Sequence, residues 1–196
     1  MLSRFSGIDI LINNAAFQDF KPIANVTEES LKAHFEVNVF APLDLSRRCL
    51  PGMRAKDWGR IINISSSIAR LPIGPPFRAN DRFNGPLVYG MTKAALNRFT
   101  AGLAAEVEGT GIAVNGVEPA LAVRTESVAA MLRANPSIQE SPFWKEEPVE
   151  VMAEAVLALC LVGPKEIAGE TDCGSDYLKK IGRSVKTLDG HSDLEI

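Results

Sequence analysis

Four short runs rich in β-branched residues recur along this chain of 196 residues. They occupy residues 8–13, 60–64, 112–117 and, more weakly, 167–172. Near-continuous apolar runs of this length are typical of strands buried on both faces of a parallel sheet. Longer stretches with helical character separate them. This alternation predicts an α/β fold in which right-handed crossovers join mainly parallel strands.

Three of the intervening stretches carry helix boundary signals. Thr27 can cap a helix over residues 27–55, which Pro42 should bend or interrupt. Residues 89–108 predict one long helix that ends before Gly109, and residues 149–161 predict another that starts after Pro148. Two irregular segments, 67–88 and 120–147, follow strands at the edge where open α/β folds bind ligands. The polar tail after residue 177 is expected to wrap the surface or fray.

Composition narrows the classes of function and location. The net charge of −3 favours neither nucleic acid nor an anionic membrane as a partner, and the longest apolar run, 155–162, is too short to span a bilayer. The first residues lack a long apolar region followed by a small-residue cleavage site, so we expect no signal peptide. The three cysteines are sparse and far apart, which fits reduced thiols in a cytoplasmic protein. No cysteines and histidines stand at metal-ligand spacing, so we expect no metal site.

Tyr89 and Lys93 are the pair of residues best suited to acid/base chemistry. They stand four residues apart in a predicted helix and therefore share one face. A free phenol has a pKa of about 10, and a nearby ammonium stabilises the phenolate and lowers that pKa. Tyr89 could then exchange a proton with an alcohol or a carbonyl. The alternative is that Tyr89 and Lys93 are an ordinary pair on a helix surface, because Tyr-x-x-x-Lys occurs by chance in many helices.

Other polar residues stand where a site would form. The strand at 60–64 runs directly into Ser65 and Ser66, and the strand at 8–13 runs into Asn14, Ala15 and Ala16. Groups at the carboxyl ends of parallel strands meet at one sheet edge. Asn38 lies within an otherwise apolar helix, where an amide is costly unless it is hydrogen-bonded. A satisfied core asparagine explains Asn38 equally well when it is considered alone.

Five motifs in this order resemble the short-chain dehydrogenase/reductase family. They are NNAA at 13–16, VNVF at 37–40, GRIINISS at 59–66, the segment YGMTKAALNRFTAGLAAE at 89–106, and IAVNGVEPALAVRT at 112–125. The resemblance covers roughly residues 7–175 and implies a Rossmann-like three-layer α/β/α fold. It also implies hydride transfer between an alcohol or carbonyl substrate and NAD or NADP.

The resemblance implies a role for each matching residue. Tyr89 would be the general acid/base, and Lys93 would lower its pKa and hold the nicotinamide ribose. Ser66, the second serine of NISS, would hydrogen-bond the substrate oxygen, and Asn38 would hold a proton-relay water. On the cofactor side, the implied set is Asn14, Ala15, Ala16, Tyr89, Lys93, Pro119 and Thr125. Of these, Asn14 would also stabilise the central strands, and Pro119 and Thr125 would frame the carboxamide.

Two departures from the family pattern shape the remaining expectations. The family's opening Gly-rich turn, which approaches the cofactor pyrophosphate, is not in this sequence. We therefore expect residues 1–196 to be a single partial domain, the catalytic half, that binds NAD or NADP poorly and leaves the strand at 8–13 as an open edge. The alternative is a catalytically silent fragment that serves as an oligomerisation partner. Either form could form a homo-oligomer through the helices near 27–55 and 89–108.

The second departure is the long segment of 22 residues between Ser66 and Tyr89. A solvated insertion and a substrate-side flap both explain it. The other irregular segment, with Met131, Phe143 and Trp144, resembles the family's variable substrate loop. Its apolar residues are consistent with a hydrophobic substrate or with packing.

Overall fold

The computed structural model describes residues 7–77, 86–134 and 145–194. Its strands are, in chain order, β1 (Ile10–Asn13), β2 (Gly59–Ile64), β3 (Ile112–Glu118), β4 (Ala122–Val123), β5 (Glu146–Glu147), β6 (Thr171–Cys173), β7 (Val185–Lys186) and β8 (Asp193–Leu194). Its helices are α1 (Glu28–Phe35), α2 (Ala41–Lys56), α3 (Leu87–Glu106), α4 (Glu126–Ala134), α5 (Val149–Leu161) and α6 (Gly174–Lys180).

A four-stranded parallel sheet in the order β1-β2-β3-β6 forms the centre of the fold. Ile10 pairs with Arg60 in the first ladder, and Gly59 pairs with Ile112 in the second. Because every ladder is parallel, the carboxyl ends of all four strands lie at one edge. The first three strands of the chain are thus neighbours in the sheet. Among the described residues β1 is an edge strand.

Helices cover both faces of the sheet and make two hydrophobic cores. On one face, side chains of α2 and α3 such as Met53 and Leu103 pack against Ile61 of β2. On the other face, α5, α6 and β7 pack against Ile62 and Val117. Neighbouring residues of a strand point to opposite faces, so Ile61 and Ile62 serve different cores. The result is the Rossmann-like α/β/α layering that the resemblance implied.

The predicted helix at 27–55 is interrupted near Pro42, as expected. The Thr27 side chain caps α1 by accepting the Ser30 N–H at 3.1 Å. A π-helical turn, Glu36–Phe40, separates α1 from α2, and Pro42 lies in the first turn of α2. A first-turn proline is tolerated because its position needs no N–H donor. Within the described ranges, no helix is long and apolar enough to cross a membrane.

The other two helix predictions hold closely. The helix predicted at 149–161 matches α5 to the residue, and the one predicted at 89–108 is α3, displaced by two residues at each end. The fourth strand is shorter than predicted: β6 covers Thr171–Cys173 rather than 167–172. Gly169 has a φ of +78°, which breaks the extended backbone, and Ile167 packs in the core before the strand begins.

The tail after residue 177 lies along the surface, as one of the two expectations had it, because most of residues 179–194 are exposed, but up to residue 194 it forms regular structure and does not fray. Residues 174–180 form α6, and β7 pairs antiparallel with β8 as a small hairpin. Leu178 and Val185 are fully buried and join the core beside α5. A few well-placed apolar residues are therefore enough to fix a segment whose composition is mostly polar.

Candidate active site

The carboxyl edge of the sheet gathers the polar residues that follow β1, β2 and β3. The β2–β3 ladder continues past the strand, because the Ser65 N–H donates to the Val117 carbonyl at 2.8 Å. The next serine, Ser66, is 9% exposed. Helix α3 begins beside this edge and presents Tyr89, which is 8% exposed. The serine loop and α3 thus meet at the end of β2.

The Ser66 side chain lies close enough to the Tyr89 phenol to lower the pKa of that phenol. Their approach depends on Gly90, because a Cβ at Gly90 would lie 2.9 Å from the Ile68 carbonyl oxygen. The helix can therefore pass directly against the 3-10 turn Ser67–Ala69 only with a glycine at this position. Sequence reasoning missed Gly90, although a glycine directly after a candidate catalytic tyrosine is a visible signal of close approach.

Burial determines the proton affinity of Tyr89. Burial raises the pKa of the Tyr89 phenol, and the nearby Ser66 side chain offsets part of that rise. The net direction is opposite to the lowering that sequence reasoning expected from Lys93. The physical reason is that desolvation disfavours the phenolate more strongly than the nearby polar groups favour it. Tyr89 therefore holds its proton at neutral pH.

Lys93 lies one helical turn beyond Tyr89 and is 2% exposed. Its Nζ donates to the Ile64 carbonyl at 2.7 Å and lies 5.6 Å from the centroid of the Tyr89 ring. Burial lowers the pKa of Lys93 to about 8. A buried ammonium with a depressed pKa beside a tyrosine is a costly arrangement, and such arrangements concentrate at functional sites.

Asn38 connects the segment after β1 to helix α3. Its Oδ1 accepts the Phe17 N–H at 2.8 Å, and its Nδ2 donates to the Phe17 carbonyl at 2.8 Å and to Thr92 Oγ1 at 3.0 Å. Thr92 in turn donates to the Tyr89 carbonyl at 2.8 Å. Both amide N–H groups of Asn38 thus serve protein oxygens. Its role with a proton-relay water stays a prediction.

The amide that ties the central strands together belongs to Asn13, not to Asn14. Asn13 is 7% exposed, and its Nδ2 donates to Asn63 Oδ1 at 2.7 Å. Asn63 continues this chain by donating to Thr100 Oγ1 on α3 at 2.8 Å. Asn14 is exposed. Successive strand residues face opposite ways, so a shift of one residue separates the structural amide from the exposed one.

The remaining residues predicted to bind the cofactor border the same edge. Asn14, Ala15 and Ala16 form the exposed chain directly after β1. Pro119 follows β3, and Thr125 caps α4 by accepting the Val128 N–H at 3.3 Å. No measured contact joins Pro119 or Thr125 to Tyr89 or Lys93, so their role stays a prediction.

Glu147 is a second residue that sequence reasoning missed. It lies on β5, which pairs parallel with β4 just after Pro119. Its side chain is 7% exposed and lies near the backbone N–H groups of Ala120 and Leu121. Burial raises the pKa of this carboxyl, and the two nearby N–H groups work in the opposite direction. Glu147 therefore places a buried carboxyl beside the loop that leaves β3 at the carboxyl edge.

The first irregular segment returns to this edge through Arg70. Its guanidinium forms an ion pair with Glu118 at 2.5 Å, and Glu118 is 2% exposed at the end of β3. This pair shows that the first turn of the insertion lies at the carboxyl edge. Residues 78–85 of this segment, and Phe143 and Trp144 of the second one, lie outside the described residues, as does the side chain of Met131.

Comparisons with known proteins agree with this geometry. The model of the short chain dehydrogenase family matches residues 1–135. An uncharacterized oxidoreductase of Bacillus subtilis (strain 168), YvrD, is 38% identical over 131 residues, which are 67% of this chain and 46% of that protein. The chain therefore spans about half the length of curated relatives such as this one.

Solved structures show the same fold. A short chain dehydrogenase/reductase family protein superposes with a TM-score of 0.70 at 29% identity, covering 90% of this chain and 70% of that one. A 4-hydroxyisoleucine dehydrogenase complexed with NADH has a TM-score of 0.63 at 25% identity, covering 84% of this chain and 66% of that one.

Proposed function

We propose, from the premise that this chain belongs to the short-chain dehydrogenase family, that the protein interconverts an alcohol and a carbonyl compound with NAD or NADP. The observation that carries the proposal is the grouping of three buried side chains: Ser66 lies near the Tyr89 phenol, and the Lys93 ammonium lies 5.6 Å from the Tyr89 ring centroid. A phenol, a hydroxyl and an ammonium around one point can bind and protonate a carbonyl oxygen.

The proton step follows from the state of Tyr89. Because burial raises its pKa, the phenol carries the proton that a carbonyl oxygen needs as it becomes an alkoxide. Ser66 would donate a second hydrogen bond to that oxygen. The tyrosinate left behind would be stabilised by the charge of Lys93, whose Nζ lies 5.6 Å from the ring centroid. In the oxidation direction the same groups would take the alcohol proton.

The donor set at this edge fits the nicotinamide end of the cofactor. An ammonium has three N–H donors, and the Ile64 carbonyl takes one from Lys93, which leaves two for ribose hydroxyls. Asn14, Ala15, Ala16, Pro119 and Thr125 would border the nicotinamide. The nicotinamide, when bound, supplies or accepts the hydride. The choice between NAD and NADP remains open.

The organisation and partners of the protein are part of the same proposal. Residues 1–196 would act as a partial domain that carries the catalytic groups, with a small-molecule alcohol or carbonyl as substrate. A homo-oligomer would form through the helices near 27–55 and 89–108, where Phe40 and Met91 are about half exposed. Apolar side chains on a helix surface are typical of association sites.

Steady-state kinetics on the full-length protein test the catalytic proposal. With NADH or NADPH and a panel of ketones and aldehydes, Tyr89→Phe should reduce kcat by about 10²–10⁴-fold, because the phenyl ring has no proton to donate. Cofactor binding should stay nearly unchanged in Tyr89→Phe, whereas Lys93→Ala should impair both binding and turnover. The matched control is Tyr177→Phe, since Tyr177 is also buried but belongs to the core on the other face.

Normal turnover of Tyr89→Phe would remove Tyr89 from the mechanism. A parent protein without turnover or cofactor binding would favour the silent alternative.

A further inference from the structure

A buried histidine holds the segment that follows β1. His34 on α1 is fully buried, and its Nε2 accepts the Asp19 N–H at 3.2 Å. Its Nδ1 lies 2.8 Å from the Ser30 carbonyl oxygen. Because Nε2 accepts a hydrogen bond, Nδ1 carries the proton and donates to Ser30. His34 thus uses both ring nitrogens in this position.

Further contacts fix the same short stretch of chain. The Phe17 ring stands edge-on to the His34 ring, with centroids 4.8 Å apart. The Ser30 hydroxyl donates to Asp19 Oδ2 at 3.1 Å, and Asp19 also pairs with Lys21 at 2.7 Å. Asp19 is therefore held through its backbone and its side chain, which fixes the direction in which the next residue projects.

That next residue is Phe20, and its ring contacts Tyr89. The two ring centroids are 5.7 Å apart with an interplanar angle of 89°, an edge-to-face contact. Ile68 packs against Gly90, the residue that follows Tyr89 on α3. The carbon that reacts must lie next to the hydroxyls of Tyr89 and Ser66. Groups attached to that carbon would then meet the Phe20 ring.

We propose that Phe20 is a specificity-determining wall of the substrate site and that His34 is the positioning residue that holds it there. The inference rests on the proposed function. The substrate class it names is an alcohol or carbonyl compound whose reacting carbon bears an apolar group, either aromatic or branched aliphatic. His34 acts only through Asp19 and Phe20.

The chain provides a direct probe of this contact, because it has only two tyrosines, Tyr89 and Tyr177. In a Tyr177→Phe background, the ultraviolet absorbance of the phenolate reports the ionisation of Tyr89 alone and needs no turnover. Phe20→Ala should admit water to Tyr89 and shift its titration midpoint to lower pH, since hydration favours the phenolate. Among the described residues, Lys93 lies 5.6 Å from the Tyr89 ring centroid and the Asp19–Lys21 ion pair flanks Phe20; neither is altered in this variant.

His34→Leu tests whether His34 positions Phe20 without itself contacting Tyr89. Leucine cannot accept the Asp19 N–H, so the midpoint should fall as it does in Phe20→Ala, although His34 is not in contact with Tyr89. His34→Gln should restore the midpoint at least in part, because its amide can accept that N–H. His191→Leu, at an exposed histidine, is the matched control and should leave the midpoint unchanged. If His34→Leu fails to fold, the Phe20 variants still decide the contact.

Kinetics test the substrate class in the full-length protein. The ratio of kcat/KM for an aryl ketone to that for the corresponding methyl ketone should fall about tenfold in Phe20→Ala, through loss of one apolar contact, and less in Phe20→Leu. An unchanged Tyr89 midpoint in Phe20→Ala would overturn the contact, even in an active enzyme. A shifted midpoint with unchanged selectivity would overturn the role as a wall. Absence of turnover in the parent protein would instead count against the proposed function, because the titration does not depend on activity.

Discussion

Replacing Lys93 by Met should change how the stability of the protein depends on pH. Burial lowers the Lys93 pKa to about 8 from its ordinary value of 10.5. Between these two values the unfolded chain binds a proton that the folded protein does not, so the free energy of unfolding rises with pH in this window. The full difference of about 2.5 units corresponds to about 3 kcal/mol, at 1.36 kcal/mol per unit.

Most of this effect falls in an accessible range. From pH 7 to pH 9.5, linkage gives the wild-type protein a gain of about 2 kcal/mol that the Lys93→Met protein lacks. Burial also raises the pKa of the Cys49 and Cys160 thiols, which lowers stability as the pH rises above their ordinary value of 9.0. These thiols are present in both proteins, so the difference between the two curves isolates Lys93.

The absolute stability at pH 7 is less informative than this slope. Methionine has a similar shape and avoids the cost of a buried charge, but it leaves the Ile64 carbonyl without its donor, which costs about 1–3 kcal/mol. The two effects nearly cancel. Urea unfolding followed by far-ultraviolet circular dichroism at several pH values measures the slope. Lys32→Met is the matched control, because the Lys32 side chain is 71% exposed and its ammonium is hydrated in both states. A wild-type curve parallel to that of Lys93→Met would refute burial of a charged lysine at this site.

Two further substitutions test the packing and the strand network of the site. Gly90→Ala should push Tyr89 away from Ser66 and, under the proposed mechanism, reduce kcat at least tenfold, because the new Cβ would lie 2.9 Å from the Ile68 carbonyl oxygen. Gly102→Ala on the same helix meets only a flexible arginine and should stabilise the protein by up to about 1 kcal/mol; equal kinetics for the two variants would contradict the close approach. Asn13→Ala should lower the free energy of unfolding by about 1–3 kcal/mol, because it leaves the buried Asn63 Oδ1 without its hydrogen-bond donor. The exposed Asn14→Ala should change it by less than about 0.5 kcal/mol, and the reverse order in urea titrations would restore the structural role to Asn14.

The sequence predicted the elements whose signals are local. Apolar runs of the right length marked β1, β2 and β3, and the proline before α5 together with the glycine after α3 placed helix ends to within about two residues. The four-residue spacing of Tyr89 and Lys93 brought both side chains to one face. Each of these signals acts within one element and needs no knowledge of what packs against it.

The features that sequence reasoning missed depend on contacts between distant segments. The strand network runs from Asn13 to Asn63 to Thr100, and the partners lie up to 50 residues apart. Nothing near Asn13 in the sequence shows that its amide, rather than that of Asn14, faces this network. The direction of the Tyr89 pKa shift likewise could not be predicted from the sequence, because it depends on how deeply the folded protein buries the ring.

One helical face explains how the segment after β1 comes to serve the site. His34 and Asn38 stand four residues apart, so their side chains lie about 6 Å apart along the helix, at 1.5 Å per residue. Their backbone partners, Asp19 and Phe17, stand two residues apart, and extended chain spans about 6.6 Å over two residues. The segment can therefore run alongside the helix with both residues anchored and without strain. Loss of either anchor would leave a single pivot, about which the neighbouring Phe20 could rotate away from Tyr89. If Phe20 is a wall of the substrate site as proposed, both anchors on this helical face, His34 and Asn38, are needed to hold it beside Tyr89.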